Sequence, residues 1–241
     1  MLQDRWGIQS EIANYFANER KVPEGNAFWK NKRIYISGGF GFLTIPLAFD
    51  LMYKRGIPLN NLLNDIHVSL MEEGFDRLKR FEAGEYSFEH FVGECKELLK
   101  GHIHQQKLAA DLFNIFSGQS PRFFSFETKH KALARSDSFL FTLVDLSITD
   151  EWVSNFLPYW YALARPILLL DDFKDLEDDR RTGDENTIIE LGNNAEAIQK
   201  AYELGKSDLG LLETVNPLLS KQMQSFLKDV LQYKHIQEVD N

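Results

Sequence analysis

Apolar residues recur every three to four positions along almost the whole chain, and no alternating apolar–polar run bounded by Asn-Gly or Asp-Gly occurs. That periodicity is the mark of amphipathic helices rather than strands. The first helix is expected over Asp4–Lys21, ending before Pro23. A Gly38-Gly39-Phe40-Gly41 patch breaks the pattern ahead of a second helix near Pro46–Arg55, closed by Gly56. A long amphipathic helix runs from Asn60 to about Glu82, and Ser87 is placed to N-cap a helix over Phe88–Lys100 with Gly101 just past its end. Further helices are predicted over His102–Phe116 and through most of Phe123–Ile148. The next run opens at Thr149-Asp150-Glu151 and reaches Arg181, interrupted at Pro158 and Pro166. Thr187 with Glu190 three residues on reads as a capping box for a short turn, and the last two helices fall near Ala195–Glu213 and Asn216–Ile236. No repeat, linker or low-complexity tract divides these elements, so the pattern predicts one all-α domain over 1–241, a helical bundle of roughly nine helices.

At 241 residues the chain can bury a substantial core without staples. Thirty-six acidic residues against 27 basic ones give a net charge of −9, which argues against a nucleic-acid partner. The single Cys95 rules out an internal disulfide and fits a reducing compartment, the cytoplasm. No secretory leader pattern opens the sequence, and no apolar run is long enough for a transmembrane segment. Phenylalanine is abundant, 19 of 31 aromatic residues, as expected of an aromatic-rich core. Several kinds of chemistry drop out. The glycine patch lacks the Gly-Lys-Ser/Thr of a phosphate loop. His102 and His104 point to different sides of a helix and have no cysteine near them for zinc. No G-x-S-x-G elbow occurs.

One segment is chemically distinctive: Asp171-Asp172-Phe173-Lys174-Asp175-Leu176-Glu177-Asp178-Asp179-Arg180-Arg181. At about 100° per residue, Asp171, Asp172, Asp175, Asp178 and Asp179 fall within an arc of roughly 120°. Like charges at i,i+4 repel by a few tenths of a kcal/mol each, and the C-terminal half of a helix disfavours anions. A purely structural helix gains nothing from the arrangement, whereas Mg²⁺ would relieve the repulsion by using a few carboxylates together with substrate phosphates. Upstream the same arc carries Tyr161, Ala164 and Leu168, so an apolar stripe leads into the acidic one. Arg165 sits near its edge, seven residues before Asp172, within reach of an anion held there.

The D-D-x-x-D at Asp171–Asp175 resembles the aspartate-rich motif of trans-prenyltransferases, and Asp171, Asp172, Asp175 and Asp179 resemble the second metal motif of class I terpene cyclases. The longer run D-D-F-K-D-L-E-D-D-R-R-T-G-D-E-N, ending at Asn186, is most similar to the tetraprenyl-β-curcumene synthase-like (large terpene synthase) group. The likeness covers about sixteen residues. It implies the class I isoprenoid synthase fold, in which two metal-binding helices face each other across an apolar cavity and Mg²⁺ ions hold a prenyl diphosphate. On that reading Asp171, Asp172, Asp175 and Asp179 are metal ligands. Arg135, 36 residues before Asp171 and followed by Ser136, weakly resembles a diphosphate-contacting Lys-Thr pair, with Arg165 and Arg180 as further contacts. The first metal motif departs from the family pattern: the nearest candidate is Glu72-Glu73-Gly74-Phe75-Asp76, where Glu73 and Asp76 would be the ligands. Asp65, Glu72, Asp76 and Lys79 otherwise share what looks like a solvated stripe. Asp137 and Asp145, eight residues apart, form a weaker pair.

The expected function is thus that of a Mg²⁺-dependent class I terpene synthase-like enzyme, a lyase or transferase of isoprenoid biosynthesis that ionises an allylic prenyl diphosphate and cyclises or otherwise quenches the carbocation. Aromatic ring faces would stabilise that cation. A trans-prenyltransferase and a non-catalytic helical protein keeping the acidic ladder are the alternatives, and a homodimer is compatible with either.

Overall fold

A computed structural model describes residues 2–30, 40–126 and 129–238, with the side chains of residues 40–42 and 135 outside the described set. Its elements are α1 (Leu2–Trp6), α2 (Ser10–Asn14) continuing as a π-helical turn (Tyr15–Glu19), α3 (Phe40–Lys54), α4 (Leu59–Leu62), α5 (Asp65–Glu82), α6 (Phe88–Leu99), α7 (Gln106–Phe116) and α8 (Lys131–Ala134). A 3₁₀ segment (Arg135–Leu143) precedes α9 (Asp150–Thr182), α10 (Thr187–Glu190), α11 (Ala195–Glu213), α12 (Pro217–Val230) and α13 (Lys234–Gln237). The fold is all-α, with no strand among the described residues. No helix among them is long and apolar enough to cross a membrane.

The chain divides into two compact units. One comprises Met1–Gly7, Glu127–Ser136 and Leu157–Asn241; the other comprises Ile8–Phe126 and Asp137–Phe156. In the first, α11 and α12 pack against each other, α1 lies on α12, and α10 contacts both α8 and α11. Leu169, Phe173, Leu176, Ile188, Ala197 and Ala201 are fully buried at its centre. In the second, α5 packs on α6, and α3 on α2 and α4. The phenylalanines concentrate there: Phe16 meets Phe49 edge-on at 4.9 Å, and Phe81 stacks on Phe91 at 5.6 Å. Such pairs contribute about 0.5–1.5 kcal/mol each beyond their buried area. Cys95 is buried in this unit, and desolvation pushes its thiol up to about 12.

Local signals placed several elements well. The Ser87 hydroxyl accepts from His90 N at 3.3 Å, Gly101 follows α6 at φ 85°, and α11 spans Ala195–Glu213 behind an Asn194 cap. Others needed correction. The helix expected over Asp4–Lys21 is two, separated at Gly7 (φ 64°) and re-initiated by Gln9, whose side-chain oxygen accepts from Glu11 N and Ile12 N. The helix expected from Asn60 breaks at Leu63, because Asn64 caps α5 by accepting from Ile66 N at 2.9 Å. Residues 102–105 are not helical: His104 N and Gln105 N both donate to Val144 O, and Gln105 caps α7. Of the helix expected over Phe123–Ile148, only Lys131–Ala134 is α-helical among the described residues, and Arg135–Leu143 is 3₁₀. Conversely, α9 runs unbroken through Pro158 and Pro166. An interior proline costs about 3 kcal/mol. Phe156, Leu157, Trp160, Tyr161 and Leu163 are all at least 98% buried around these positions, and each such side chain contributes about 1.5–3 kcal/mol.

Gly7 has a second reason to be glycine. Asn216, the N-cap of α12, donates from Nδ2 to Trp6 O at 2.9 Å and accepts from Leu219 N, and a Cβ on Gly7 would collide with its Oδ1. Gly7→Ala is expected to destabilise by about 1–3 kcal/mol, from the left-handed backbone and the clash together. Gly210→Ala, at an open helical position of α11, should instead stabilise by about 0.5–1 kcal/mol. Urea denaturation of the two variants beside the parent measures both.

Candidate functional site

The acidic face of α9 lies in the first unit, and its residues separate into two sets. Asp172 is 1% exposed; its Oδ2 accepts from Thr187 N at 3.0 Å, and its main-chain oxygen accepts from Asn186 Nδ2 at 2.7 Å. Asn186 caps α10 through Oδ1, which accepts from Ile188 N at 2.9 Å, and its Nδ2 also donates to Asp179 Oδ2 at 2.8 Å. The short helix after Gly183 is thus fastened to α9 by the Asp172 carboxylate and the Asn186 amide. This corrects the capping-box reading, since Asn186 and not Thr187 is the cap. Glu190 does not reach back to it; its two oxygens accept from Lys131 N and Ala132 N at 3.0 and 2.8 Å and so cap α8.

Asp171, Asp175 and Asp179 form the second set, at i, i+4 and i+8 on successive turns of α9. Asp171 is exposed and the other two are half-buried. Asp175 lies 3.3 Å from Lys174 Nζ. Asp178, exposed, pairs with Arg181 at 2.7 Å. Upstream on the same helix, Tyr161 and Ala164 are buried and Leu168 is partly buried against the core. Among the described residues no group of three or more acids, histidines or cysteines is gathered closely enough to cage a cation by itself.

Two of the three candidate basic residues have definite partners. Arg165 is clamped to Asp208 of α11, Nε to Oδ2 at 2.9 Å and Nη2 to Oδ1 at 2.5 Å, and its guanidinium lies 5.3 Å from the Tyr161 ring centroid. Arg180 Nε donates to Asn193 Oδ1 at 2.7 Å. The side chain of Arg135 lies outside the described residues; Ser136 donates its hydroxyl to Leu133 O at 2.9 Å.

The acids proposed for a first metal motif sit on α5 in the second unit. Glu73 is exposed and pairs with Arg77 at 3.3 Å. Asp76 accepts from Ala27 N at 2.5 Å and pairs with Arg80 at 2.7 Å. Glu72 is not part of a solvated stripe. It is 4% exposed and held by two nitrogens of Arg20 at 2.9 and 2.8 Å, an arrangement that raises the Arg20 pKa further above its ordinary value. The Arg20 guanidinium, 52 positions earlier in the chain, explains what the wheel of α5 alone could not.

A different group of residues in the second unit went unnoticed in the sequence as a unit. His67 and Asp145, 78 positions apart, meet with His67 Nδ1 2.9 and 3.0 Å from the two carboxylate oxygens. They line an apolar cavity of about 80 Å³, partly open to solvent, with Leu70, Phe75, Phe91 and Phe139. Part of the signal lay in α5: His67 is the polar residue on the face that carries Leu70, Met71, Gly74 and Leu78. No family model matches the chain, and no curated protein or solved structure matches it.

Proposed function

We propose that the chain is a class I terpene synthase-like enzyme that uses Mg²⁺ to ionise an allylic prenyl diphosphate and then cyclises or otherwise quenches the carbocation. The observation that carries this reading is the spacing of Asp171, Asp175 and Asp179 on three successive turns of one continuous helix, on the solvent-reachable side, downstream of the buried Tyr161 and Ala164. Their donor chemistry fits Mg²⁺, which prefers hard oxygen ligands and takes one or two carboxylates plus phosphate oxygens, keeping several waters. A closed protein cage is not required for that mode of binding. When bound, Mg²⁺ supplies positive charge that stabilises the departing diphosphate. Asp171 and Asp175 orient the diphosphate end through that charge. Asp172 does not belong to the proposed ligand set, because its carboxylate holds the Thr187 amide.

A second reading, a non-catalytic helical protein, is favoured by one specific observation: Asp172 and Asn186 of the motif, and Glu190 just beyond it, all serve as caps and ties within the first unit. Calorimetry with Mg²⁺ and pyrophosphate separates the two. The parent is expected to bind pyrophosphate only with Mg²⁺, and Asp171→Ala/Asp175→Ala is expected to weaken binding more than about tenfold, the loss of one charge-assisted contact or more, at unchanged melting temperature. Incubation with C10–C20 prenyl diphosphates should then release pyrophosphate and give hydrocarbons or prenyl alcohols, and added isopentenyl diphosphate distinguishes chain elongation from cyclisation. Absence of Mg²⁺-dependent pyrophosphate binding in the parent moves the assignment to the non-catalytic reading.

A further inference from the structure

The cavity between α5, α6 and the 3₁₀ segment holds a buried base with one side unused. His67 is 2% exposed, and its Nδ1 faces both oxygens of Asp145, whose side chain is 9% exposed. A carboxylate only accepts, so Nδ1 carries a proton, and in the neutral imidazole Nε2 then keeps its lone pair. Among the described residues, Nε2 is buried with no hydrogen-bond partner. Thr142, which also lines the cavity, has its hydroxyl proton committed to Phe139 O at 2.7 Å. The remaining walls are largely alkyl and aromatic, Leu70, Phe75, Phe91 and Phe139 among them, with Ser138 and Cys95 as the other polar residues.

We infer that this cavity is a binding site for a small apolar molecule bearing a single hydroxyl, which donates its proton to His67 Nε2 while its hydrocarbon part fills the aromatic-lined space. The chemistry on both ends points that way. A buried acceptor without a donor is costly to leave unmade, so an O–H that reaches it is favoured over an apolar group of the same shape. A carboxylate or phosphate is disfavoured, because it would have to enter an apolar space beside Asp145 with no cation among the lining residues. The volume sets the size: about 80 Å³, compared with the roughly 150 Å³ of an apolar cavity that takes up benzene, limits the ligand to one ring or a short branched chain with its far end at the opening. The site lies wholly within the second unit and does not depend on the acidic face of α9.

Phenol and toluene, alike in shape and different in the hydroxyl, test it on the intact protein by NMR titration with ¹⁵N observation of the histidine rings. Phenol is expected to bind at least about tenfold more tightly than toluene and to shift the Nε2 resonance of His67 while Nδ1 stays protonated. In His67→Phe that preference for phenol should vanish. Equal affinities for the two ligands, or binding of phenol that leaves the His67 nitrogens unmoved, overturns the proposal, and a trapped water is then the partner of Nε2. The ligand comparison on the parent stands even if the variant does not fold.

Discussion

Replacing Arg165 with methionine is expected to lower the stability of the protein by about 3–5 kcal/mol. The guanidinium and the Asp208 carboxylate are joined by two nearly parallel hydrogen bonds, with side chains 13% and 7% exposed. Removing the arginine strips a carboxylate in the interior of the cation facing it, and the desolvation already incurred is no longer offset. Replacing both partners, as Arg165→Met/Asp208→Leu, should recover most of the loss, because neither half then remains charged in an apolar setting. Urea denaturation of the parent, both single variants and the double variant forms the cycle. A single Arg165→Met variant that keeps the parent's stability and loses only pyrophosphate affinity would contradict the structural role and make Arg165 a phosphate contact.

Asp172→Leu is the second large effect. Its carboxylate satisfies the buried Thr187 amide, and leucine would leave that N–H without an acceptor, a cost of about 1–3 kcal/mol. Asp171→Asn, one position earlier on the exposed side, should change stability by less than about 0.5 kcal/mol. Asp172→Asn, which retains an acceptor oxygen, should fall between them. Amide hydrogen exchange at Thr187 gives the local readout: faster exchange in Asp172→Leu, unchanged exchange in Asp171→Asn. Unchanged exchange in Asp172→Leu would mean that another acceptor holds the amide.

The contrast between these neighbours shows where reading the sequence succeeds and where it stops. A helical wheel places Asp171 and Asp172 in one arc, but they are 100° apart, enough to put one in solvent and the other against the core. Which is which is decided by the Thr187 amide, fifteen positions away, and no periodicity contains that information. Elements set by their own first turn, such as α6 behind Ser87 and α11 behind Asn194, were legible because a cap acts on residues within three positions of it. The break at Gly7 was not, since the group that crowds its α-carbon is Asn216. The prolines of α9 misled for the opposite reason: their penalty is local and visible, while the burial that outweighs it is tertiary. Within the candidate sites, the ladder Asp171/Asp175/Asp179 follows from spacing alone. The Arg165–Asp208, Arg20–Glu72 and His67–Asp145 pairs each join elements more than 40 positions apart, and only folding brings them together.

The tie between Asn216 and the Trp6 carbonyl spans 210 positions, and this bears on how the protein is made. A ribosome adds about 5–20 residues per second, so roughly 10–40 s separate the appearance of α1 from that of its docking partner α12. The other compact unit has all its segments once residue 156 has been added. During synthesis, therefore, Leu2 and Trp6, both buried in the finished fold, stay uncovered until α12 has been added. A chaperone that shields apolar side chains on nascent chains would find its occasion there, and slow codons ahead of α12 would lengthen the wait.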